Sequence, residues 1–358
     1  MNVCVVGAGM VGVSTAWHLV RRGHSVVVLE RSSVASGASG GLGERGVRAN
    51  ARDPAELPLA RCALEMWPTL AAELDAPTGF RRTGHLQLIE REGDLASAEE
   101  IVRRQSAAGI TCEVIGADEL RAIEPDLGPS VIAAIRCPGD GVADHTSTTR
   151  AVAAAAQRAG AVLRERCEAR LLADGGRLAV AADGERIDAD AIVVAANAGA
   201  QELLSQAGVR LETVNVYPQV IVTSPLQGTV VRHLIGHSHR PLALKTLPDG
   251  AVMITGGRLG RDGAPRPGEV EANLTDASAV VPALAGVPVD AVVADRAESI
   301  TGDLLPIVDR PADELVVAAG WSGHGWAIAP AVGELLADWI DTGVRPVVLE
   351  PFTAARFR

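Results

Sequence analysis

The sequence predicts an α/β fold in which a parallel strand–helix–strand layer is interleaved with a second layer built on an antiparallel sheet. Three observations predict it. The β-branched run Val3 to Val6 enters a tight glycine turn and then a helical pattern. Far downstream, Ala191-Ile-Val-Val-Ala195 reads as a buried parallel-type strand that returns the chain to the same layer. From Val214 to Thr223 and from Ala251 to Thr255, alternating or β-branched runs separated by Gly and Pro turns read as an antiparallel sheet.

Composition bounds the function. A chain of 358 residues, 47% hydrophobic and 22% charged, can bury a sizeable core and forms one globular unit of two intertwined domains. The 33 basic residues are outnumbered by 44 acidic ones, and the formal charge of -11 argues against a nucleic-acid partner, which needs a net basic face. Cysteines at positions 4, 62, 112, 137 and 167 form no CxxC pair and no zinc or disulfide framework, which fits a reducing cytoplasmic setting. No basic residue precedes the first apolar run, Arg21 and Arg22 follow it, and no stretch reaches the roughly 20 apolar residues that a bilayer requires, so neither a signal nor a membrane span is expected.

In chain order, Val3 to Val6 leads into Gly7-Ala-Gly9-Met10-Val11-Gly12, after which Ala16, Leu19 and Val20 recur at helical spacing up to Gly23. Val26 to Leu29 follows and ends on Glu30, completing a βαβ unit. The three glycines serve the turn, the approach of a pyrophosphate and helix–strand packing, the helix N-terminus faces the phosphates, and Glu30 is placed for ribose hydroxyls, so a dinucleotide site is expected. A second small-residue loop, Ser36-Gly37-Ala38-Ser39-Gly40-Gly41, is unusual after a plain NAD site and lets backbone lie against a large ligand. A helix is expected from Pro54 to Leu74, a strand from Leu86 to Ile89, helices at 94–107 and 118–123, and loops with hairpin turns over the Pro/Gly-rich stretch 128–141. Thr146 opens a helix that Gly160 stops. Short strands near 161–164, 168–172, 177–181 and 186–188 precede the return strand, which delivers Ala196-Asn-Ala-Gly199 to another helix. Glu314 to Ala319 is a strand entering Gly320-Trp-Ser-Gly323-His324-Gly325-Trp326, followed by a helix to about Ile340.

Four segments in order, residues 3–31, 36–48, 191–199 and 318–340, resemble the D-amino-acid oxidase superfamily of flavoproteins, in its sarcosine oxidase (beta subunit) and glycine oxidase branch. The resemblance spans nearly the whole chain. It implies a Rossmann-type FAD-binding domain (1–80, 142–213 and 297–358) interleaved with an antiparallel-sheet α+β substrate or cap domain (81–141 and 214–296). It implies noncovalent FAD held by Gly7, Gly9, Met10, Val11, Gly12, Glu30, Arg31, Ser36, Gly37, Ala38, Ser39, Gly41, Ala169, Ala196, Gly199, Gly323, His324, Gly325 and Trp326. Noncovalent attachment is expected because relatives that attach flavin through a cysteine have it where this chain has Arg296. The activity implied is oxidation of a C–N bond in a small amine or amino acid.

The resemblance, together with physical reasoning, implies roles for the rest. The helix beginning near Trp326 is expected to aim N–H groups at the flavin edge, where negative charge develops. His324, in that loop, is a candidate acid or base. Lys245 falls where relatives place a cation near the flavin, which favours reduction of dioxygen. Glu298 stands where some relatives grip a substrate carboxylate with arginine, and Arg45 and Arg48 are candidates to replace that grip with bidentate donors. Tyr217, the only tyrosine, excludes a mechanism needing two. His233, His237 and His239 are expected in a polar loop with no accompanying carboxylate, and no metal is expected. Dioxygen, a quinone or a partner subunit remains open as electron acceptor. Oxidation of a 2-hydroxy acid, with His324 as base, is the alternative chemistry, and a flavin-carrying subunit inactive alone is the alternative role.

Overall fold

The computed structural model describes residues 1–41, 43–174, 177–256 and 259–357. Asn2–Val6 pairs in parallel with Ser25–Glu30 on one side and with Ala191–Val194 on the other. Val162–Glu165 extends one edge, and Leu315–Ala319 and then Ile307–Ala312 extend the other, with antiparallel pairing only between the last two strands. The inner strands Ala191–Val194 and Leu315–Ala319 are apolar throughout because both faces are covered. Val3, Val5, Val28 and Val193 turn into a core with the helices Met10–Arg21, Leu57–Leu74, His145–Arg158 and Gly325–Thr342. Cys4, Val6, Ile192 and Val194 turn the other way, onto the small sheet that contains Ala169–Asp174 and Arg177–Ala182.

The first and last helices cross almost backbone to backbone: a Cβ added at Gly333 would stand 2.3 Å from Ser14 Cβ. Each follows a parallel strand, so both helix N-termini emerge at the same, carboxyl-terminal edge of the sheet, where ligands of such folds bind.

Facing that edge is the second sheet, whose strands run in the order Val289–Val293, Val220–Thr223, Val252–Thr255, Ala243–Thr246, Leu234–His237, His85–Ile89, Ala133–Cys137 and Glu113–Gly116. Its pairings are antiparallel except between Leu234–His237 and His85–Ile89. Leu86, Leu88, Leu244 and Ile254 pack with Ala277 and Val280 of the helix Pro267–Val280 behind it. The first sheet takes strands from both termini and the middle of the chain and the second fills the gaps, so the two layers interleave as expected.

Two stretches depart from the sequence reading. Ala133–Cys137, within a region expected to be loops and turns, is a strand bonded on both sides, because its neighbours supply the ladder that five mostly small residues do not advertise. Leu234–His237, expected within a polar loop, is a buried strand for the same reason.

Candidate active site

Between the sheet edge and the second sheet lies a cavity of about 1120 Å³. That exceeds the roughly 300–1,000 Å³ of ordinary small-molecule sites and leaves room for a large cofactor plus a substrate. Gly7, Gly9, Met10, Val11, Glu30 and Arg31 line it, with Ser36, Gly37, Ala38 and Ser39 beside them. Ala169, Ala196 and Gly199 also line it, as does the loop Gly323, His324, Gly325 and Trp326. Gly12 and Gly41 do not. Gly12 acts instead through packing, since a Cβ there would meet Gly7 O at 1.9 Å, and Gly41 bends its loop at φ 77°.

The glycine turn fits a pyrophosphate. Gly7 has φ 108° and its Cβ would stand 2.5 Å from Ala195 O, so the chain turns there only without a side chain. At Gly9 a Cβ would meet nothing within 4 Å, so this glycine leaves open space toward the cavity. The following helix has no acidic residue in its first turn, so its dipole is available to an anion. The Glu30 carboxylate accepts from the N–H groups of Ala8 (2.8 Å) and Ser32 (2.9 Å), tying the first glycine turn to the end of the second strand.

Opposite stand the cations. Arg45 and Lys245 both donate to Glu44 O, and Lys245 is buried rather than on the surface. Burial, with the Arg45 charge, lowers the Lys245 ammonium to about 7. Arg48 lies on a turn built by Asp140, a buried carboxylate accepting from Ala49 N (2.8 Å) and Asn50 N (3.0 Å). Gln105 Oε1 takes the N–H of Ala51 at 2.8 Å, and Ala51 is held at φ 55°. This turn brings in Arg52, which sequence reading missed. It is buried, remains cationic although burial lowers it to about 9, and donates to His324 O at 3.4 Å. Its Nη1 has no partner among the described residues. His85 also lines the cavity, kept neutral by burial and by Arg48 and Arg52, with no partner for Nδ1 among the described residues.

Glu298 is buried beside the last loop and is already engaged. Its carboxylate accepts from Gly323 N (2.9 Å) and Asn197 Nδ2 (3.3 Å), and burial raises its pKa. The N–H of Gly323, expected to face the flavin, is thereby taken, and that of His324 goes to Trp321 O at 2.8 Å. The donors left for a ligand are the first-turn N–H groups from Gly325 onward. Gly325 must be glycine, because a Cβ would sit 2.6 Å from the Trp321 ring. Trp67 Nε1 donates to Ala327 O at 2.8 Å and fixes the helix start, while Trp326 packs between Trp67 and His145.

The histidine cluster corrects one expectation: a carboxylate does accompany it. Glu90 Oε2 lies 3.3 Å from His237 Nε2 and 3.4 Å from His239 Nε2, while His233 pairs with Glu124 at 2.8 Å. The protons argue against a ligand set. His237 Nδ1 accepts from His239 N and Arg240 N, which leaves the ring proton on Nε2, and Arg240 occupies the same Glu90 oxygen at 2.6 Å.

Comparison with known proteins agrees with this geometry. Residues 2–339 match the family model described as DAO, FAD dependent oxidoreductase. The chain is 28% identical to glycine oxidase of Geobacillus kaustophilus (strain HTA426) over 377 residues, covering 99% of this chain and 97% of that one. It is 30% identical to D-amino acid dehydrogenase of Rhizorhabdus wittichii over 61% of this chain and 65% of that one. Among solved structures, L-proline dehydrogenase from P. horikoshii superposes with a TM-score of 0.93 at 26% identity, covering 99% of this chain and 97% of that one. Glycine oxidase from G. kaustophilus gives 0.88 at 25% identity, with 99% and 98% covered. With a glycine cradle suited to a dinucleotide and a family match along nearly its whole length, the chain belongs to the DAO family of FAD-dependent oxidoreductases and is an amine or amino-acid oxidoreductase.

Proposed function

We propose that the protein oxidises the C–N bond of a small, carboxylate-bearing amine or amino acid to an imine that water then hydrolyses. The observation that carries this reading is that Arg48 and Arg52 line the cavity together, Arg52 donating through Nε to Arg48 O and through Nη2 to His324 O. Two guanidinium groups beside the loop that leads into the last helix can hold a carboxylate bidentately and so fix the carbon next to it. Glycine oxidase and L-proline dehydrogenase, among the similar proteins, are named for substrates of this class.

FAD, when bound, supplies the hydride acceptor. The protein's part is position, dryness and charge. Arg48 and Arg52 grip the carboxylate, His85 and His324 offer neutral rings, and the first turn of the last helix directs N–H groups at the developing negative charge. No protein base is required for an amine bound neutral. Lys245, whose ammonium is lowered to about 7 by burial, supplies in its protonated form a cation that favours charge on the electron acceptor. That acceptor is dioxygen, a quinone or a partner subunit. Attachment is noncovalent in this reading: Arg296 donates to Ser36 O, and Cys167, the cavity's only cysteine among the described residues, is bonded through its N–H to Glu30 O at the nucleotide end. We assign 1–80, 142–213 and 297–358 to the flavin-binding unit and 81–141 and 214–296 to the cap.

The test is an anaerobic titration of the yellow holoenzyme with glycine, sarcosine, proline, D- and L-amino acids, their decarboxylated counterparts and 2-hydroxy acids. Bleaching of the flavin band by an amino acid, but not by its decarboxylated counterpart, supports the proposal. Bleaching by 2-hydroxy acids alone overturns it.

A further inference from the structure

Behind His324 lies a carboxylate that the reading above does not use. Glu56, 1% exposed, stands at the N-terminus of the helix Leu57–Leu74 and does not line the cavity. Its Oε2 is 3.5 Å from His324 Nδ1, a buried nitrogen with no hydrogen-bond partner among the described residues and this carboxylate as its ion-pair neighbour, while His324 itself does line the cavity. Arg52 borders both residues, donating to His324 O and holding its charge near Glu56. Burial opposes ionisation of Glu56, but His324, Arg52 and Arg48 outweigh it and keep the carboxyl below its usual range. Burial, then the Arg52 charge, pushes the His324 imidazole down to about 4, against the pull of Glu56. The pair at neutral pH is therefore a carboxylate and a neutral ring with a single N–H. That proton belongs on Nδ1, facing the carboxylate, and the opposite nitrogen is left with its lone pair.

We propose that Glu56 is a positioning residue that holds His324 in the Nδ1–H tautomer, so that Nε2 accepts a hydrogen bond from the N–H of the substrate amine. The inference rests on the amine-oxidation reading and sharpens its substrate class. A neutral primary or secondary amine has an N–H to offer and a neutral tertiary amine has none. The site accordingly selects amino acids that retain an N–H against their N,N-dialkyl counterparts. A hydrogen bond of this kind changes affinity about fivefold to tenfold.

Two measurements test it. A long-range nitrogen–proton correlation spectrum of holoenzyme carrying isotope-labelled histidine, assigned with H324Q, reads the tautomer without substrate. A pyrrole-type Nδ1 and a pyridine-type Nε2 are expected, and the reverse overturns the proposal. The second measurement compares KM for sarcosine with that for N,N-dimethylglycine in wild type, E56Q and E56L at equal flavin content. Wild type and E56Q, whose amide oxygen can still accept from Nδ1–H, are expected to favour sarcosine about fivefold to tenfold, and E56L to lose the preference. An unchanged preference in E56L overturns the proposal. If neither amine nor any other reduces the flavin, the amine reading has failed, while the tautomer spectrum still decides the role of Glu56.

Discussion

Gly9→Ala separates the glycine needed by the ligand from those needed by the fold. A Cβ at Gly9 would meet nothing within 4 Å, and the residue has φ -72° and ψ 173°, which alanine adopts without strain. The protein alone should therefore tolerate the change. Alanine is a poorer N-cap by some tenths of a kcal/mol and stiffens the unfolded chain by a similar amount, so stability should move by less than about 1 kcal/mol. The pyrophosphate is another matter, because the methyl group would occupy the space through which it approaches the backbone. Losing even one charge-assisted hydrogen bond costs about 1.5–3 kcal/mol, a weakening of FAD binding of at least tenfold. Gly12→Ala is the contrast: its Cβ would lie 1.9 Å from Gly7 O, so the fold itself should suffer. The assay is urea denaturation of each variant together with fluorescence titration of FAD into deflavinated protein. A Gly9→Ala protein that binds FAD as tightly as wild type would refute the placement of the pyrophosphate.

Three further outcomes are expected. Arg52→Lys keeps the charge but loses the planar fork, so KM for carboxylate-bearing substrates should rise at least about tenfold with a smaller change in kcat, read by steady-state kinetics. Lys245 is lowered to about 7 in the folded protein from 10.5, so between those values the unfolded chain holds a proton that the folded one has lost and stability rises with pH. Lys245→Met should lack that rise and be the more stable protein below about pH 7, as melting temperatures across the range would show. His18 is buried with its pKa lowered to about 4 from 6.5, so stability should fall as pH drops through that window, where the unfolded chain takes up the proton first. His145 and His237 act in the same direction, whereas Asp140, raised to about 6, opposes them. His18→Gln should flatten the slope by at most about 1.4 kcal/mol per pH unit, and an unchanged slope in urea titrations would contradict it.

The parts of the site that were legible in the sequence are those in which one residue type answers a local steric demand. Gly7, Gly9 and Gly12 mark the turn because no side chain fits the first and last, and Gly325 is equally forced by Trp321. Strands covered on both faces, such as Ala191–Val194, announce themselves as apolar runs. Arg52 was hidden because its position depends on Asp140 and Gln105, far along the chain, which fold the turn around Ala51. Glu56 and Glu90 were hidden for the same reason, each meeting its histidine only through tertiary packing. Glu298 was visible as an acidic residue in place of a basic one, but its hydrogen bonds to Gly323 and Asn197 were not. Lys245 read as easily as a surface lysine, since burial of a cation leaves no local trace when the ladder around it is Leu244, Thr246 and Met253.

The most direct test of C–N oxidation is single-turnover mixing of anaerobic holoenzyme with a bleaching amino acid, either protiated or deuterated at the carbon bonded to nitrogen. Flavin reduction should slow severalfold with the deuterated substrate, because that C–H bond breaks as the hydride leaves. A rate indifferent to deuteration at that carbon, in an enzyme whose flavin reduction is limited by chemistry, would contradict hydride transfer from the amine.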